Sequence, residues 1–200
     1  MFNKNSYFRG YFINLYYFDE FRDILLQDFT LKIPLDSKNL ATKNRIVNTK
    51  DSVSLHIRRG DYLESVNYFI HLGSGYYNGA LRALKKRVSK AHIFVFSNDI
   101  EWCKNHLLSS LDSHLIQDFT FEFVDNNGEG QAAFEMELMK TCQHNIIANS
   151  TFSWWAAYLN QNPQKIVICP NKMVYSKNEH KNYKKEWIKI DYIWGNELNE

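Results

Sequence analysis

Val53-Ser54-Leu55-His56-Ile57-Arg58-Arg59-Gly60-Asp61-Tyr62 is the stretch on which the fold turns. Apolar residues at 53, 55 and 57 alternate with Ser54 and His56, the period of a strand. The strand runs out into two cations, a glycine and an acid, the composition of a turn. Downstream, Tyr77, Ala80, Leu81, Leu84 and Val88 recur at helical spacing, leaving Lys85, Lys86 and Arg87 for solvent. Ile93-Phe94-Val95-Phe96 predicts a second short strand, which passes through Ser97-Asn98-Asp99 into a helix striped by Ile100, Cys103 and Leu107. The alternation continues with a strand over 119–124 and a helix marked by Phe134, Leu138, Met139 and Cys142. A buried strand over 145–148 follows, then a helix over 151–159 with Phe152, Trp155, Ala156 and Leu159 on one face, then a strand over 165–169. Strands and helices taking turns define an α/β chain: a mainly parallel sheet with helices on both faces. In such sheets ligands sit beyond the carboxyl ends of the strands.

Working outward, Tyr16-Tyr17-Phe18, Phe21, Ile24-Leu25 and Phe29 predict a core helix from Leu15 to Gln27. Residues 35–50 are polar, follow Pro34 and show no period, so they are expected to be a loop or linker marking a boundary near residue 50. The tail after Pro170, with Lys177, Lys181, Lys184 and Lys185, reads as an exposed basic finish.

The 200 residues carry 24 Lys+Arg against 22 Asp+Glu, a net charge of +2, with 44% hydrophobic residues. That balance excludes a disordered chain and gives no general pull toward nucleic acid, so anion binding must come from a local site. Cys103, Cys142 and Cys169 are widely spaced and form neither a disulfide framework nor a zinc pattern. They read as small buried residues of a reduced compartment, and the expected location is the cytoplasm. No apolar run reaches the roughly 18 residues that span a bilayer, and Met1-Phe2-Asn3-Lys4-Asn5 lacks a signal-peptide core. Peripheral attachment to the inner face of a membrane stays open.

Three strand ends carry chemistry. At the first, alternation puts His56 and Arg58 on one face and turns Arg59 away. Adjacent guanidiniums are costly to desolvate unless they meet an anion, and a guanidinium's planar fork suits phosphate or carboxylate. Gly60 allows a sharp turn and Asp61 could hold an arginine; the structural alternative is an Arg–Asp pair, and Arg59-Gly60-Asp61 also spells an adhesion tripeptide. At the second, Asn98 is expected to cap the following helix, with Glu101 closing a capping box. Asp99 is then a surplus carboxylate for a guanine edge or sugar hydroxyls. At the third, Asn149-Ser150-Thr151-Phe152-Ser153 loads the first turn of a helix with hydroxyls, where free N–H groups and the dipole favour an anion; one hydroxyl is also an ordinary cap. Trp154-Trp155 is expected to be core. Glycine-rich phosphate loop, metal-ligand cluster and serine elbow are missing from the sequence.

In this order the segments resemble bacterial α-1,2-fucosyltransferases of glycosyltransferase family 11. The resemblance rests on residues 56–62, on Phe96-Ser97-Asn98-Asp99-Ile100-Glu101-Trp102-Cys103, and on residues 144–157 from His144-Asn145-Ile146-Ile147 to Ala157. Gly10-Tyr11-Phe12 and Asp28-Phe29-Thr30 also resemble family stretches. It implies a GT-B-like fold, with residues 1–50 the remnant of an incomplete N-terminal, acceptor-side domain and 51–200 a Rossmann-type nucleotide-sugar domain. The family's Gly-Gly-Leu-Gly-Asn-Gln loop has no counterpart in the sequence, so Met1 would start partway through that domain. The implied reaction moves L-fucose from GDP-fucose to the 2-hydroxyl of a galactose-terminated glycan, inverting the anomeric centre without a metal or any cofactor beyond the donor. Arg58 would bind the diphosphate, Asp61 would orient the arginines, and Glu64 is a candidate base. His56 and Asp99 would contact guanosine; Arg59, Asn98, Asn149, Ser150, Thr151 and Ser153 would line the donor site. Asn98 departs from the family's usual Asp. A truncated, non-catalytic GDP-sugar-binding module is the competing expectation.

Overall fold

The computed structural model describes residues 7, 9, 14–64, 69–128, 130–174 and 182–198. In chain order the elements are α1 (Arg22–Asp28), α2 (Ser37–Asn48), β1 (Ser52–Ile57), α3 (Asp61–Glu64), α4 (Ser74–Lys85) and β2 (Ala91–Ser97). A helical run follows, α5 (Ile100–Trp102), a π turn (Cys103–Leu107) and α6 (Leu108–Ser110), then α7 (Ser113–Ile116). The chain continues through β3 (Phe119–Phe123), α8 (Ala132–Thr141), β4 (His144–Ile146), α9 (Thr151–Leu159), β5 (Val167–Pro170), β6 (Ile188–Ile190) and β7 (Glu197–Leu198).

The strands form one sheet in the order β3-β2-β1-β4-β5-β6-β7. β1 to β6 pair parallel and β7 returns antiparallel to β6. The chain winds outward to β3 and then crosses back to β4, so the strand order reverses between β1 and β4. That is the switch point where a doubly wound sheet opens a crevice at its carboxyl edge. All six residues of β1 are buried, because helices cover both faces.

Three apolar clusters hold the layers together. One joins Val53, Leu55 and Ile57 to Tyr76, Ala80, Leu81 and Leu84 of α4, and includes Cys103. A second joins Phe94 and Phe96 to Leu138 and Met139, and includes Cys142. The third gathers Ile147, Trp154, Tyr158 and Trp187 around Cys169. All three thiols are buried, and none forms a disulfide among the described residues. Polar groups brace the centre: Asn145 Nδ2 donates to Ser54 Oγ at 2.7 Å, and Asn160 Nδ2 to Asn145 Oδ1 at 2.8 Å.

Four expectations are corrected. Residues 37–48, read as loop, are helix α2, capped by Asp36, whose side chain accepts from Asn39 N at 2.8 Å. Its buried stripe is Asn39, Thr42 and Ile46, so polar residues occupy positions where apolar ones would have signalled the period. The expected core helix from Leu15 is instead two 3-10 turns and then α1, with Tyr16, Tyr17, Phe21 and Ile24 exposed. Aromatics lie all round this strap, and only Leu15, Phe18, Leu25 and Leu26 reach the third cluster. On α9 the expected face of Phe152 and Trp155 is only partly buried, while Trp154, Ala157 and Tyr158 are fully packed. The tail is not a loose finish: Trp187 and Ile190 are buried, and Trp154 Nε1 donates to Asn182 O at 2.6 Å. Lys184 pairs with Asp19 at 2.9 Å, whereas Lys177, Lys181 and Gly10-Tyr11-Phe12 lie outside the described residues. Among the described residues no helix is long and apolar enough to cross a membrane.

Candidate active site

β1 delivers its two arginines to opposite sides of the crevice, as alternation requires. Arg58 Nη2 meets Asp61 Oδ1 at 2.8 Å, and its guanidinium lies 5.3 Å from the Tyr62 ring centre. The side chain is 28% exposed, yet its Nε is buried with no hydrogen-bond partner among the described residues. Tyr62 stacks on Phe69 and donates its hydroxyl to Asn149 O at 3.1 Å, tying the loop after β1 to the segment leading into α9. Gly60 makes this turn with φ +53°, and a Cβ there would stand 2.6 Å from Asn98 Nδ2. A side chain there would be strained by the left-handed backbone and would have to push the Asn98 amide aside.

Arg59 is spent on the β2 side. Its backbone N donates to Asn98 Oδ1 at 2.9 Å, its Nε to Asp99 Oδ2 at 3.2 Å, and its guanidinium lies 3.6 Å from the Trp102 ring centre. Asp99, not Asn98, caps α5, accepting from Trp102 N at 3.2 Å. Glu101 closes no capping box and pairs with Lys104 at 2.6 Å instead. Both Asp99 oxygens are therefore engaged, and it is no surplus carboxylate. Asn98 is drawn to the arginine loop because Arg59 presents an N–H there.

At the third strand end most polar groups are structural. Asn149 Nδ2 donates to Ile70 O at 2.8 Å and Met173 O at 2.9 Å. Ser150 is the cap of α9, accepting from Phe152 N at 3.3 Å, and Ser153 Oγ donates inward to Ser150 O at 3.3 Å. Thr151 alone of the three is exposed, its hydroxyl unbonded among the described residues. The first-turn N–H groups of α9 not taken by Ser150 face outward, as at any helix start.

His56 is 2% exposed, its ring 5.8 Å from that of Phe152 and its Nδ1 buried without a partner among the described residues. Burial, with the Arg58 charge adding to it, pushes its pKa down to about 3, so the imidazole is neutral. Glu64 is exposed on α3 and pairs with nothing among the described residues. Glu135, absent from the sequence reading, sits in the first turn of α8, half-buried, with no hydrogen bond or ion pair to its carboxyl among the described residues. Burial raises its pKa to about 7 against the opposing pull of Arg58. Its only sequence signal is an acid in a helical first turn, which ordinarily reads as a dipole partner. Among the described residues no three His, Cys, Asp or Glu side chains gather to hold a metal ion.

These features define an α/β protein with a doubly wound sheet whose first strand ends, at the switch point, in a loop of two arginines. The chain belongs to glycosyl transferase family 11, whose pattern matches residues 2–191. It is 36% identical over 194 residues to the alpha-1,2-colitosyltransferase of Escherichia coli, covering 92% of this chain and 62% of that protein. It is 33% identical to the O-antigen biosynthesis glycosyltransferase WbnK of Escherichia coli, covering 94% of this chain and 62% of that protein. Galactoside alpha-(1,2)-fucosyltransferase 2 of Mus musculus is 30% identical over 159 residues, 76% of this chain and 44% of the mouse protein. The chain thus spans 62% of the length of its two Escherichia coli relatives. Among solved structures, E. coli ADP-heptose lps heptosyltransferase II matches with a TM-score of 0.42 and 13% identity, over 79% of this chain and 44% of that one.

Proposed function

We propose that the chain carries the donor half of a GT-B-type, inverting, metal-independent transferase that moves L-fucose from GDP-fucose to the 2-hydroxyl of a galactoside. The observation that carries this reading is the Arg58 guanidinium at the switch point, with Nε buried and unpartnered among the described residues, beside the loop leading into α9. A group so placed has desolvation to recover and recovers it by donating to an anion. Arg58 binds the diphosphate and offsets the charge that grows on GDP as the glycosidic bond breaks. Asp61 fixes the guanidinium's orientation. Thr151 and the first-turn N–H groups of α9 take further phosphate oxygens. His56, neutral and buried, serves the guanosine side; Arg59, Asn98 and Asp99 hold the loop in place. Glu64 is the acceptor-side candidate for taking the hydroxyl proton, which requires hydrogen-bond reach to the acceptor.

The relative named for colitose transfer supports a second donor, since colitose is fucose without the 3-hydroxyl. The test incubates the chain with lactose and either GDP-fucose or GDP-colitose and follows product by mass spectrometry. Fucosyl-lactose supports the first reading, and colitosyl product alone supports the second. GDP binding without either product reduces the chain to a nucleotide-binding module. Arg58→Ala should lower transfer by roughly 10²–10³-fold and weaken GDP binding. Its melting temperature should stay unchanged, because the side chain is partly solvated.

A further inference from the structure

A guanidinium binds an anion best when its orientation is set beforehand, because side-chain freedom lost on binding costs affinity. Asp61 meets Arg58 Nη2 at 2.8 Å, but the Asp61 side chain is 56% exposed and lies three residues on in the same turn. A pair so solvated is screened and weak. Alone it does little to stop a long side chain from swinging.

Tyr62 supplies a restraint of another kind. It is buried, and its ring centre lies 5.3 Å from the Arg58 guanidinium, within the range of a cation–π contact. The ring is itself held at two points. Phe69 stacks on it with centres 3.9 Å apart and planes 8° from parallel, and its hydroxyl donates to Asn149 O at 3.1 Å. Asn149 is buried in turn and donates from Nδ2 to Ile70 O at 2.8 Å and to Met173 O at 2.9 Å. Phe69 also forms an antiparallel bridge to Val174. One ring is thereby braced by the connections that leave β1, β4 and β5, three adjacent parallel strands.

We propose that Tyr62 is the positioning residue for Arg58, its braced ring holding the guanidinium in the orientation that receives the diphosphate. The connections after β4 and β5 then shape phosphate binding through a side chain that need not touch phosphate. This rests on the nucleotide-sugar reading above.

A ring that acts through Arg58 has nothing left to position once the guanidinium is gone, so the two side chains must be coupled. The experiment is a double-mutant cycle read by calorimetric titration of the full chain with GDP. It compares wild type, Tyr62→Leu, Arg58→Ala and the double variant, each checked for folding by circular dichroism. Tyr62→Leu should weaken GDP binding by roughly 5–10-fold when Arg58 is present and by less than about 2-fold in the Arg58→Ala background. Tyr62→Phe keeps the ring and its stacking and should stay within about 3-fold of wild type. Equal losses from Tyr62→Leu with and without Arg58 overturn the assignment, make Tyr62 a purely structural residue and leave the nucleotide reading intact. So does a Tyr62→Phe variant as impaired as Tyr62→Leu, which would move the effect to the hydroxyl. Should Tyr62→Leu fail to fold, Phe69→Leu, which withdraws one support of the ring, takes its place in the cycle. It should show the same coupling at smaller size, and an uncoupled loss overturns the assignment. Failure of the wild type to bind GDP at all removes both readings.

Discussion

Glu135 shows how one uncompensated group can be read through pH. Its ordinary pKa of 4.5 becomes about 7 in the folded chain. Below 4.5 the carboxyl is protonated in folded and unfolded chains alike and costs nothing. As pH rises toward 7 the unfolded chain ionises first, so folding loses stability until the folded carboxyl has ionised as well. Glu135→Gln should therefore raise the melting temperature relative to wild type at pH 8 and leave it unchanged at pH 4, as scanning calorimetry at both values would show. A difference that is constant with pH would assign the effect to packing instead. Strand alternation was enough to separate Arg58 from Arg59, because side-chain direction along β1 is fixed by backbone geometry. It could not reveal Glu135, whose significance lies in burial and missing partners, properties of the assembled chain. Nor could it choose between Asn98 and Asp99 as the cap. Adjacent Asx residues have the same capping chemistry, and the choice was made by Arg59 arriving from another strand.

Among elements, the start of α5 does two tasks through one side chain. Asp99 Oδ1 caps the helix and Oδ2 takes Arg59. Asp99→Asn keeps a capping oxygen and loses the charge pair, whereas Asp99→Ala loses both. Urea denaturation should place Asp99→Ala about 1 kcal/mol below Asp99→Asn. If the two variants are equally stable, the cap contributes nothing. The parallel strands and α4 were legible because of their apolar runs and periods, and α9 was legible as a helix though not by its packed face, since it is buried nearly all round. Helix α2 was not, since Asn39 and Thr42 hold its buried face through hydrogen bonds, with Asn39 Nδ2 donating to Asn127 Oδ1 at 2.8 Å. The aromatic strap before α2 misled in the opposite direction: it has apolar residues in plenty, and they do not share a face. Phe18 and Phe29 both stack on Trp155, at 5.4 and 4.9 Å, and leave their neighbours outside.

Across the whole molecule, the reversal of strand order places the loop after β1 and the start of α9 at one crevice, so the topology assembles residues that lie far apart in sequence. The far edge of the sheet depends on glycine. A Cβ on Gly79 of α4 would stand 2.3 Å from Gly195 O, in the turn between β6 and β7. Gly79→Ala should push that hairpin off α4 and cost about 1–3 kcal/mol. Hydrogen exchange should report this as faster opening confined to residues near β6 and β7, while β1 and β2 keep their protection. Uniform acceleration throughout the sheet would show that the edge and centre open together. None of this could be seen in the sequence, where the tail offers only Ile188 and Ile190 around Lys189 as a strand signal. Pairing with β5 makes them a strand.

One consequence follows from the distribution of sulfur. Cys103, Cys142 and Cys169 fall one to each apolar cluster, all reduced and shielded. An alkylating reagent reaches each only when its own compartment breathes, so mass-resolved labelling turns the native chain into three independent clocks. Their relative rates rank the compartments by how often each comes apart, with no engineered probe added.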